Sequence, residues 1–276
     1  MNKSGHLALG VLLGSAYLTL FPPVLTGNTW ISSGIALAAV GIGSLAPDID
    51  HRTSTASSMI SPFSPKTRRL LKAGAIVSFL GGMLLLMLHV FQNQGWGLPI
   101  LSPLLLQSYP LWLAGGLLFF FLSRIRELVL FGAGAAILYA YSMYQLDWFF
   151  AFAGGALLII PLVRHRGVIH TPEFALCLSV GCLSFTAGGH PVVAAAVLGF
   201  VIGWWSHLIG DLFGEEGIHS LIVPRLKIAL HLFRNGGIVE KGITRFSWAA
   251  SIAVWTLFIT RSEGWLAEIV SAWLRV

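Results

Sequence analysis

An aspartate- and histidine-containing turn follows a long apolar segment near the start of the chain. Residues 30–46 contain no charged side chain, and Asp48, Asp50 and His51 come shortly after them. These three side chains lie too close in sequence to share one face of a helix. Pro47 favours a non-helical turn, which can direct all three toward one point. We therefore predict that this turn supplies part of a metal site at a membrane surface.

A second pair of metal-binding residues ends another apolar segment further along the chain. His207 and Asp211 are four residues apart, so in a helix both side chains lie on one face and can hold one cation. The alternative is a buried, neutral, hydrogen-bonded pair. We favour metal ligation because ionisable groups near membrane depth are costly and usually functional.

Small residues accompany these groups at helical spacing. Stripes of small side chains let two helices approach closely in a membrane. Close pairing of the first helix with the helix that carries His207 would bring His6 toward His207. The small residues are Gly199, Gly203, Ser206 and Gly210 beside His207, and Gly10 and Gly14 after His6.

A third motif contains two histidines and an arginine. His165 and His170 are five residues apart across Gly167, so a turn rather than a regular helix must present them. Arg166 is suited to face a phosphate, since a guanidinium matches the geometry of oxyanions. The alternative is that Arg166 and its neighbour Arg164 only anchor a helix end at the membrane surface.

Together these motifs give more ligands than one ion needs, since a catalytic zinc takes three protein ligands. They suffice for two ions, or for one ion with neighbouring catalytic groups. Mixed histidine and aspartate ligation favours zinc, with manganese or iron as alternatives. Asp48 or Asp50 is the expected bridge or general base, and Arg166 the expected contact to the substrate. The predicted ligands are His6, Asp48, Asp50, His51, His165, His170, His207 and Asp211.

Membrane helices must position these residues. The 276 residues are 56% hydrophobic and only 10% charged, with a mean hydropathy of +0.81, whereas a soluble domain carries about 25% charged residues. We predict an all-α, polytopic transmembrane helical bundle of about eight to ten segments, each near the roughly 20 residues that span a bilayer. It forms one integral membrane domain over residues 1–276. The candidate segments are residues 7–25, 30–46, 73–91, 110–122, 128–144, 148–163, 174–188, 192–212 and 247–260, with a weaker tail at 265–274.

Basic residues collect on one side when these segments alternate across the membrane. The opposite loops, residues 27–28, 92–109, 145–147 and 189–190, contain no lysine or arginine, and Arg261 is the exception. The positive-inside rule makes the basic side cytoplasmic. The same alternation places all the candidate ligands on that side. We expect the basic loops to contact anionic lipid headgroups and expect no nucleic acid.

Other reactive side chains have simpler interpretations. Cys177 and Cys182 lie within an apolar segment and are interpreted as packing residues rather than as a disulfide. The glutamates of the cytoplasmic loops are interpreted as solvated surface groups, with a reserve role as ligands or acid–base groups. These are Glu173, Glu215, Glu216 and Glu240.

The ordered motifs resemble the YdjM-type family of bacterial and archaeal inner-membrane proteins. The resemblance rests on His6, the turn from Pro47 to His51, the segment from His165 to Thr171, and Ser206-His207 with Asp211. It implies a metal-dependent, membrane-bound hydrolase in the bacterial inner membrane. The pattern is also similar, more distantly, to zinc-dependent phospholipase C and P1-type nucleases, which implies a phosphodiester substrate. After Asp211 the chain departs from the threonine-containing turn of the family, because two glutamates follow instead.

These observations favour a hydrolase that acts on a phosphoester or lipid-linked substrate at the cytoplasmic membrane surface. A divalent ion would acidify a bound water and polarise the ester. A metal or ion transporter is one alternative, although its ionisable residues should lie deep within several spans. A non-catalytic membrane scaffold with a structural metal site is the other.

Overall fold

Apolar helices make up most of the chain. The structure, a computed structural model, describes residues 1–20, 29–50, 54, 58, 60–95, 102–163, 167–186, 189–223 and 225–261. The prediction of an all-α membrane protein is confirmed. The helices are α1 (Lys3–Leu20), α2 (Thr29–Gly43), α3 (Pro65–Asn93), α4 (Pro103–Leu106), α5 (Tyr109–Ser123), α6 (Ile125–Tyr144), α7 (Trp148–Ile159), α8 (Pro172–Thr186), α9 (Pro191–Phe213) and α10 (Ile238–Arg261). Two 3₁₀ helices, Ala46–Asp50 and Val168–His170, lie in the connections.

Several helices begin where the sequence supplies a cap and a proline. Ser64 accepts a hydrogen bond from the Thr67 N–H at 3.1 Å, and α3 begins at Pro65. The same arrangement of a serine cap and Pro103 starts α4. A proline in the first turn lacks only an N–H that would be unpaired there. The starts of α3 and α4 are therefore determined by local sequence.

Four helices in the described part of the chain are long and apolar enough to cross a membrane. They are Pro65–Asn93, Pro103–Ser123, Ile125–Tyr144 and Pro191–Phe213, and the shorter apolar helices are Ile31–Gly43, Trp148–Ile159 and Pro172–Ser184. The predicted segment at 110–122 coincides closely with α5, and the longer range Pro103–Ser123 joins α5 to the short helix α4 that precedes it. In the most apolar 18-residue stretch of each of these helices, 44% of the residues are buried in α9 and 11% in each of the others. Helix α9 is therefore an internal helix of its unit.

The chain divides into two compact units, one of which contains all the described candidate ligands. This first unit comprises Met1–His51 and Gly134–Val276. Its centre is the pairing of α2 with α9, whose backbones approach closely at glycines. A Cβ on Gly199 would lie 2.1 Å from the Ala36 carbonyl oxygen, and one on Gly203 would lie 2.2 Å from the Val40 oxygen. No larger residue fits such contacts without moving a backbone.

The prediction that the small residues of α9 pack against α1 is therefore only partly correct. Gly199 and Gly203 pack against α2 rather than α1. The first helix approaches α9 further along, where Gly10 lies beside Ser206 and Gly210 lies beside His6. The small residues of α9 thus contact two neighbouring helices, α2 and α1. Residues spaced four apart do not lie exactly above one another, so successive members of the stripe face slightly different directions.

Helix α10 holds α1 in place from its other side. The indole N–H of Trp255 donates to Ser15 Oγ at 2.8 Å. Near the start of α1, the Asn2 N–H donates to Glu240 Oε1 at 2.6 Å. These two contacts lie at opposite ends of α1 and so fix its position along α10.

The segment after α9 folds back over the end of that helix. Strands β1 (Ile218–His219) and β2 (Lys227–Ile228) form a short antiparallel pair. Beyond them, the Leu230 N–H donates to the Leu212 carbonyl, and the Leu232 N–H donates to the Phe213 carbonyl, each at 2.9 Å. These bonds satisfy carbonyls that the helix end leaves without intrahelical partners.

The second unit, Arg52–Ala133, contains α3, α4, α5 and the first part of α6. Helices α3 and α5 pack through two glycines. A Cβ on Gly82 would lie 2.8 Å from Leu113 Cδ2, and a Cβ on Gly116 would lie 3.0 Å from Phe79 Cδ2. This unit contributes none of the described candidate ligands.

Candidate metal centre

Five of the predicted ligands come together within the first unit, although they lie on four separate elements. Two groups of side chains place their ligand atoms within 4.8 Å of one another, and both groups include His207. One group is His6, His207 and Asp211; the other is Asp48, His170 and His207. The fold thus brings together residues as far apart in the sequence as His6 and Asp211, which are 205 residues apart.

The helix ends around this point favour a cation. Helix α2 ends at Gly43, just before the first 3₁₀ helix that carries Asp48. Asp211 lies in the last turn of α9, which ends at Phe213. The C-terminal end of a helix carries a partial negative charge. Two such ends add to the two carboxylates and attract positive charge to the site.

His207 has one ring nitrogen committed to the backbone and one directed at carboxylates. Its Nδ1 lies 2.8 Å from the Ser44 carbonyl oxygen, which can only accept, so Nδ1 carries the proton. Its Nε2 lies 3.5 Å from Asp211 Oδ2 and 3.8 Å from Asp48 Oδ1, and it has no hydrogen-bond partner among the described residues. The His207 side chain is 0% exposed, so water does not compensate. Three lone-pair atoms therefore face one another in a buried site, an arrangement that a shared cation would stabilise.

His6 lies against the same face of the site. Its ring stacks on that of His207, with centroids 3.8 Å apart and planes at 10°. Its Nε2 lies 3.3 Å from Asp211 Oδ1, and the Met1 amino nitrogen lies 3.0 Å from the same oxygen. Asp211 therefore offers one oxygen to the α1 side and the other to His207.

Asp48 and His170 form the more open side of the site. His170 Nε2 lies 3.6 Å from Asp48 Oδ1, and the ring centroids of His170 and His207 are 5.2 Å apart. The Asp48 side chain is 28% exposed, whereas the other four are at most 3% exposed. Burial raises the pKa of Asp48, but the imidazoles around it, His170 first, lower it by more, so the pKa lies below its ordinary value. Asp48 is thus held as a carboxylate, the form that binds metal.

The separations between these atoms suit a metal ion better than hydrogen bonds. The four separations between imidazole nitrogens and carboxylate oxygens run from 3.3 to 3.8 Å. Hydrogen bonds would bring them to about 2.7–3.2 Å. Two ligands at roughly 2.0–2.1 Å from a tetrahedral zinc lie about 3.3 Å apart. His207 belongs to both groups of candidate ligands, but its Nδ1 donates to the Ser44 carbonyl, so only Nε2 can bind an ion. The two groups would therefore have to share a single ion.

Four predicted site residues cannot be placed against this geometry. Asp50 ends the first 3₁₀ helix, but its side chain lies outside the described residues. His51, His165 and Arg166 also lie outside them. Their assignments as ligands or substrate contacts remain predictions.

Sequence reasoning missed two groups that orient the site. The Ser44 carbonyl fixes the tautomer of His207, and a backbone atom leaves no signal in the residue type. Glu240 is 0% exposed, so its interpretation as a solvated surface residue is wrong. Its carboxylate accepts the N–H groups of Asn2 and Gly236 and so holds the start of α1, which carries His6. Glu215 fits the surface interpretation, since it pairs with the 84% exposed Arg234.

Glu173, in the first turn of α8, connects this helix to the segment after α9. It accepts hydrogen bonds from the Ser220 hydroxyl, the Leu221 N–H at 3.0 Å and the Ile222 N–H. The Ser220 hydrogen bond, followed by that of Leu221, lowers the pKa of Glu173 to about 2. This carboxylate ties the loop at residues 220–222 to the start of α8, next to His170.

Comparison with known proteins places the chain in a family. The sequence model of the YdjM inner membrane protein family matches residues 1–275, and the chain belongs to that family. No curated protein and no solved structure matches the chain. Family membership and the four long apolar helices establish a multi-pass integral inner-membrane protein.

Proposed function

We propose that this member of the YdjM inner membrane protein family is a metal-dependent hydrolase. The observation that carries the proposal is the buried Nε2 of His207, which has no hydrogen-bond partner among the described residues and faces carboxylate oxygens of Asp48 and Asp211. The donor set of imidazoles and carboxylates, with no thiolate, favours zinc, with manganese or iron as alternatives. His6, His170, His207 and Asp211 would hold one ion, together with Asp48. When bound, a divalent ion supplies Lewis acidity and a water that is acidic near neutral pH.

The side chains of the site divide into a buried set and an accessible one. His6, His207 and Asp211 are almost fully buried, whereas Asp48 is 28% exposed. Asp48 is therefore the described ligand that water and substrate can approach. Its lowered pKa suits an ion ligand or hydrogen-bond acceptor and does not suit a proton donor. Arg166 and Asp50 remain candidates for substrate contact and general base.

The proposed reaction is hydrolysis of a phosphoester at the cytoplasmic membrane surface. The oxygen of water bonds to phosphorus, the bond from phosphorus to the alcohol oxygen breaks, and the proton lost by water ends on the leaving alcohol. The cytoplasmic assignment is supported by the absence of lysine and arginine from the opposite loops in the sequence. A headgroup-level site beside basic loops suits a lipid or lipid-linked ester, and these loops are proposed to contact anionic lipids.

Metal content and turnover of the purified full chain test this proposal together. We expect one zinc or manganese ion per chain and metal-dependent cleavage of bis(p-nitrophenyl) phosphate. His207→Ala removes the central ligand and should abolish both, whereas Asp48→Asn should reduce turnover more than metal content. His89→Ala alters a histidine of the other unit and should change neither. Unchanged metal content in His207→Ala would contradict the site, and metal binding without turnover of any phosphoester would contradict the hydrolase.

A structural metal site is the second candidate, and the burial of three ligands favours it. Structural ions have closed coordination, whereas catalytic ions keep an open position. His6, His207 and Asp211 are each at most 2% exposed and join α1 to α9. If the ion is structural, chelation will unfold the chain. If it is catalytic, chelation will remove turnover while the far-ultraviolet circular dichroism spectrum stays unchanged.

A further inference from the structure

An apolar groove lies beside the second 3₁₀ helix, the one that carries His170. It has a volume of about 320 Å³ and runs between α7 and α8. Val168 and Ile169 line it and directly precede His170 in the chain. The groove and the candidate metal centre are thus built on the same short helix.

The walls of this groove offer almost no polar contact to a ligand. Phe152, Ile159 and Phe174 are among the residues that line it, and Glu173 is the one charged residue among the described residues that do so. That carboxylate is already engaged by the Ser220 hydroxyl and by two backbone N–H groups. A hydrocarbon chain can therefore fill the groove without leaving a polar group unpaired.

The loop at residues 220–222, which contributes Leu221 to the groove wall, is held by hydrogen bonds to Glu173. Leu221 lines the groove, and its backbone N–H donates to Glu173 at 3.0 Å. The polar end of the groove therefore lies at the start of α8, beside His170. Asp48, the accessible carboxylate of the metal centre, faces His170 at 3.6 Å. A ligand with an apolar chain in the groove would have its polar end on this side.

We propose that the groove binds one acyl chain of a glycerophospholipid whose phosphoester lies at the candidate metal centre. The inference rests on the proposed function and makes the substrate a membrane phospholipid rather than a soluble phosphodiester. Apolar burial of the chain supplies affinity, and the position of the second 3₁₀ helix sets the distance from chain to headgroup.

A glycine in the groove wall allows the site to be filled selectively. Gly155 lines the groove, and a Cβ added to it would meet no atom within 4 Å, so the side chain of Gly155→Leu begins in open space. Gly34 in α2 is equally open and does not line the groove, so Gly34→Leu is the matched control. The two substrates are palmitoyl-oleoyl phosphatidylglycerol and its dibutyryl analogue, which share one headgroup.

We expect Gly155→Leu to raise KM for the long-chain lipid roughly tenfold, the effect of withdrawing about two methylene groups from apolar contact. KM for the dibutyryl lipid should stay unchanged, and Gly34→Leu should change neither value. An equal rise for both lipids, or no rise for the long-chain lipid, would overturn the groove as an acyl site.

A binding measurement separates failure of this inference from failure of the proposed function. Native mass spectrometry of the detergent-purified full chain should show one bound palmitoyl-oleoyl phosphatidylglycerol in the wild type and in Asp48→Asn. Occupancy should fall in Gly155→Leu and persist in Gly34→Leu. Equal occupancy in the wild type and Gly155→Leu would overturn the acyl site, whatever the activity. Selective lipid binding without any hydrolysis would support the groove and contradict the hydrolase.

Discussion

The buried carboxylate of Glu240 gives the sharpest test of how the fold positions the site. Glu240 is 0% exposed and accepts the N–H groups of Asn2, at 2.6 Å, and of Gly236. A hydrogen bond to a charged group contributes about 1.5–3 kcal/mol. Both donor residues lie at the surface, so water partly replaces the lost acceptor in Glu240→Ala. We therefore expect the free energy of unfolding to fall by roughly 2–3 kcal/mol.

The same substitution should weaken the candidate metal centre from a distance. Glu240 holds the start of α1, and His6 lies one turn further along that helix. Groups that orient metal ligands typically contribute about 10–100-fold to affinity. We expect Glu240→Ala to weaken zinc binding about tenfold and Glu240→Gln, which keeps one carbonyl oxygen, to weaken it less.

Denaturant unfolding in detergent micelles and zinc titration measure these two effects. The control is Glu215→Ala, since Glu215 pairs with Arg234 at the surface and such pairs contribute at most about 1 kcal/mol. If Glu240→Ala is as stable as Glu215→Ala and binds zinc as tightly as the wild type, the assigned role of Glu240 is wrong.

Three further predictions concern helix packing and the loop beside His170. Gly203→Val places a side chain against the Val40 carbonyl and should lower the free energy of unfolding by about 1–3 kcal/mol or more, whereas Gly34→Val should have little effect in the same unfolding assay. Trp255→Phe removes the hydrogen bond to Ser15 and should lower it by about 1 kcal/mol; no change would contradict the role of this bond in holding α1. The depressed pKa of Glu173 means that its stabilising effect is full above pH 4.5 and is lost as the pH falls toward 2, so the thermal midpoints of the wild type and Glu173→Gln should converge over that range. A difference that is constant with pH would contradict this assignment.

The sequence identifies those parts of the site whose geometry is local. The spacing of His207 and Asp211 predicts one shared helical face, and both side chains do face the same point. The membrane class and the helical fold follow from composition, because so apolar a chain must satisfy its backbone within helices. Lysine and arginine positions then assign the ligand-bearing turns to one side without any knowledge of their contacts.

The remaining features depend on tertiary contacts that residue types do not encode. A stripe of glycines predicts a close helix neighbour but not its identity, and Gly199 and Gly203 contact α2 where α1 was expected. The Ser44 carbonyl that orients His207 is a backbone atom. Glu240 looks like a surface glutamate in the sequence, and only the docking of α1 on α10 shows that it is buried.

The central claim is that turns distant in sequence surround one cation. Zinc K-edge X-ray absorption of the purified, zinc-loaded chain tests it most directly. We expect one tightly bound ion per chain, a first shell of nitrogen and oxygen at about 2.0–2.1 Å, and multiple scattering from imidazole rings that weakens in His170→Ala. A zinc ion without imidazole ligands, or a chain that retains no zinc after dialysis, would contradict the account.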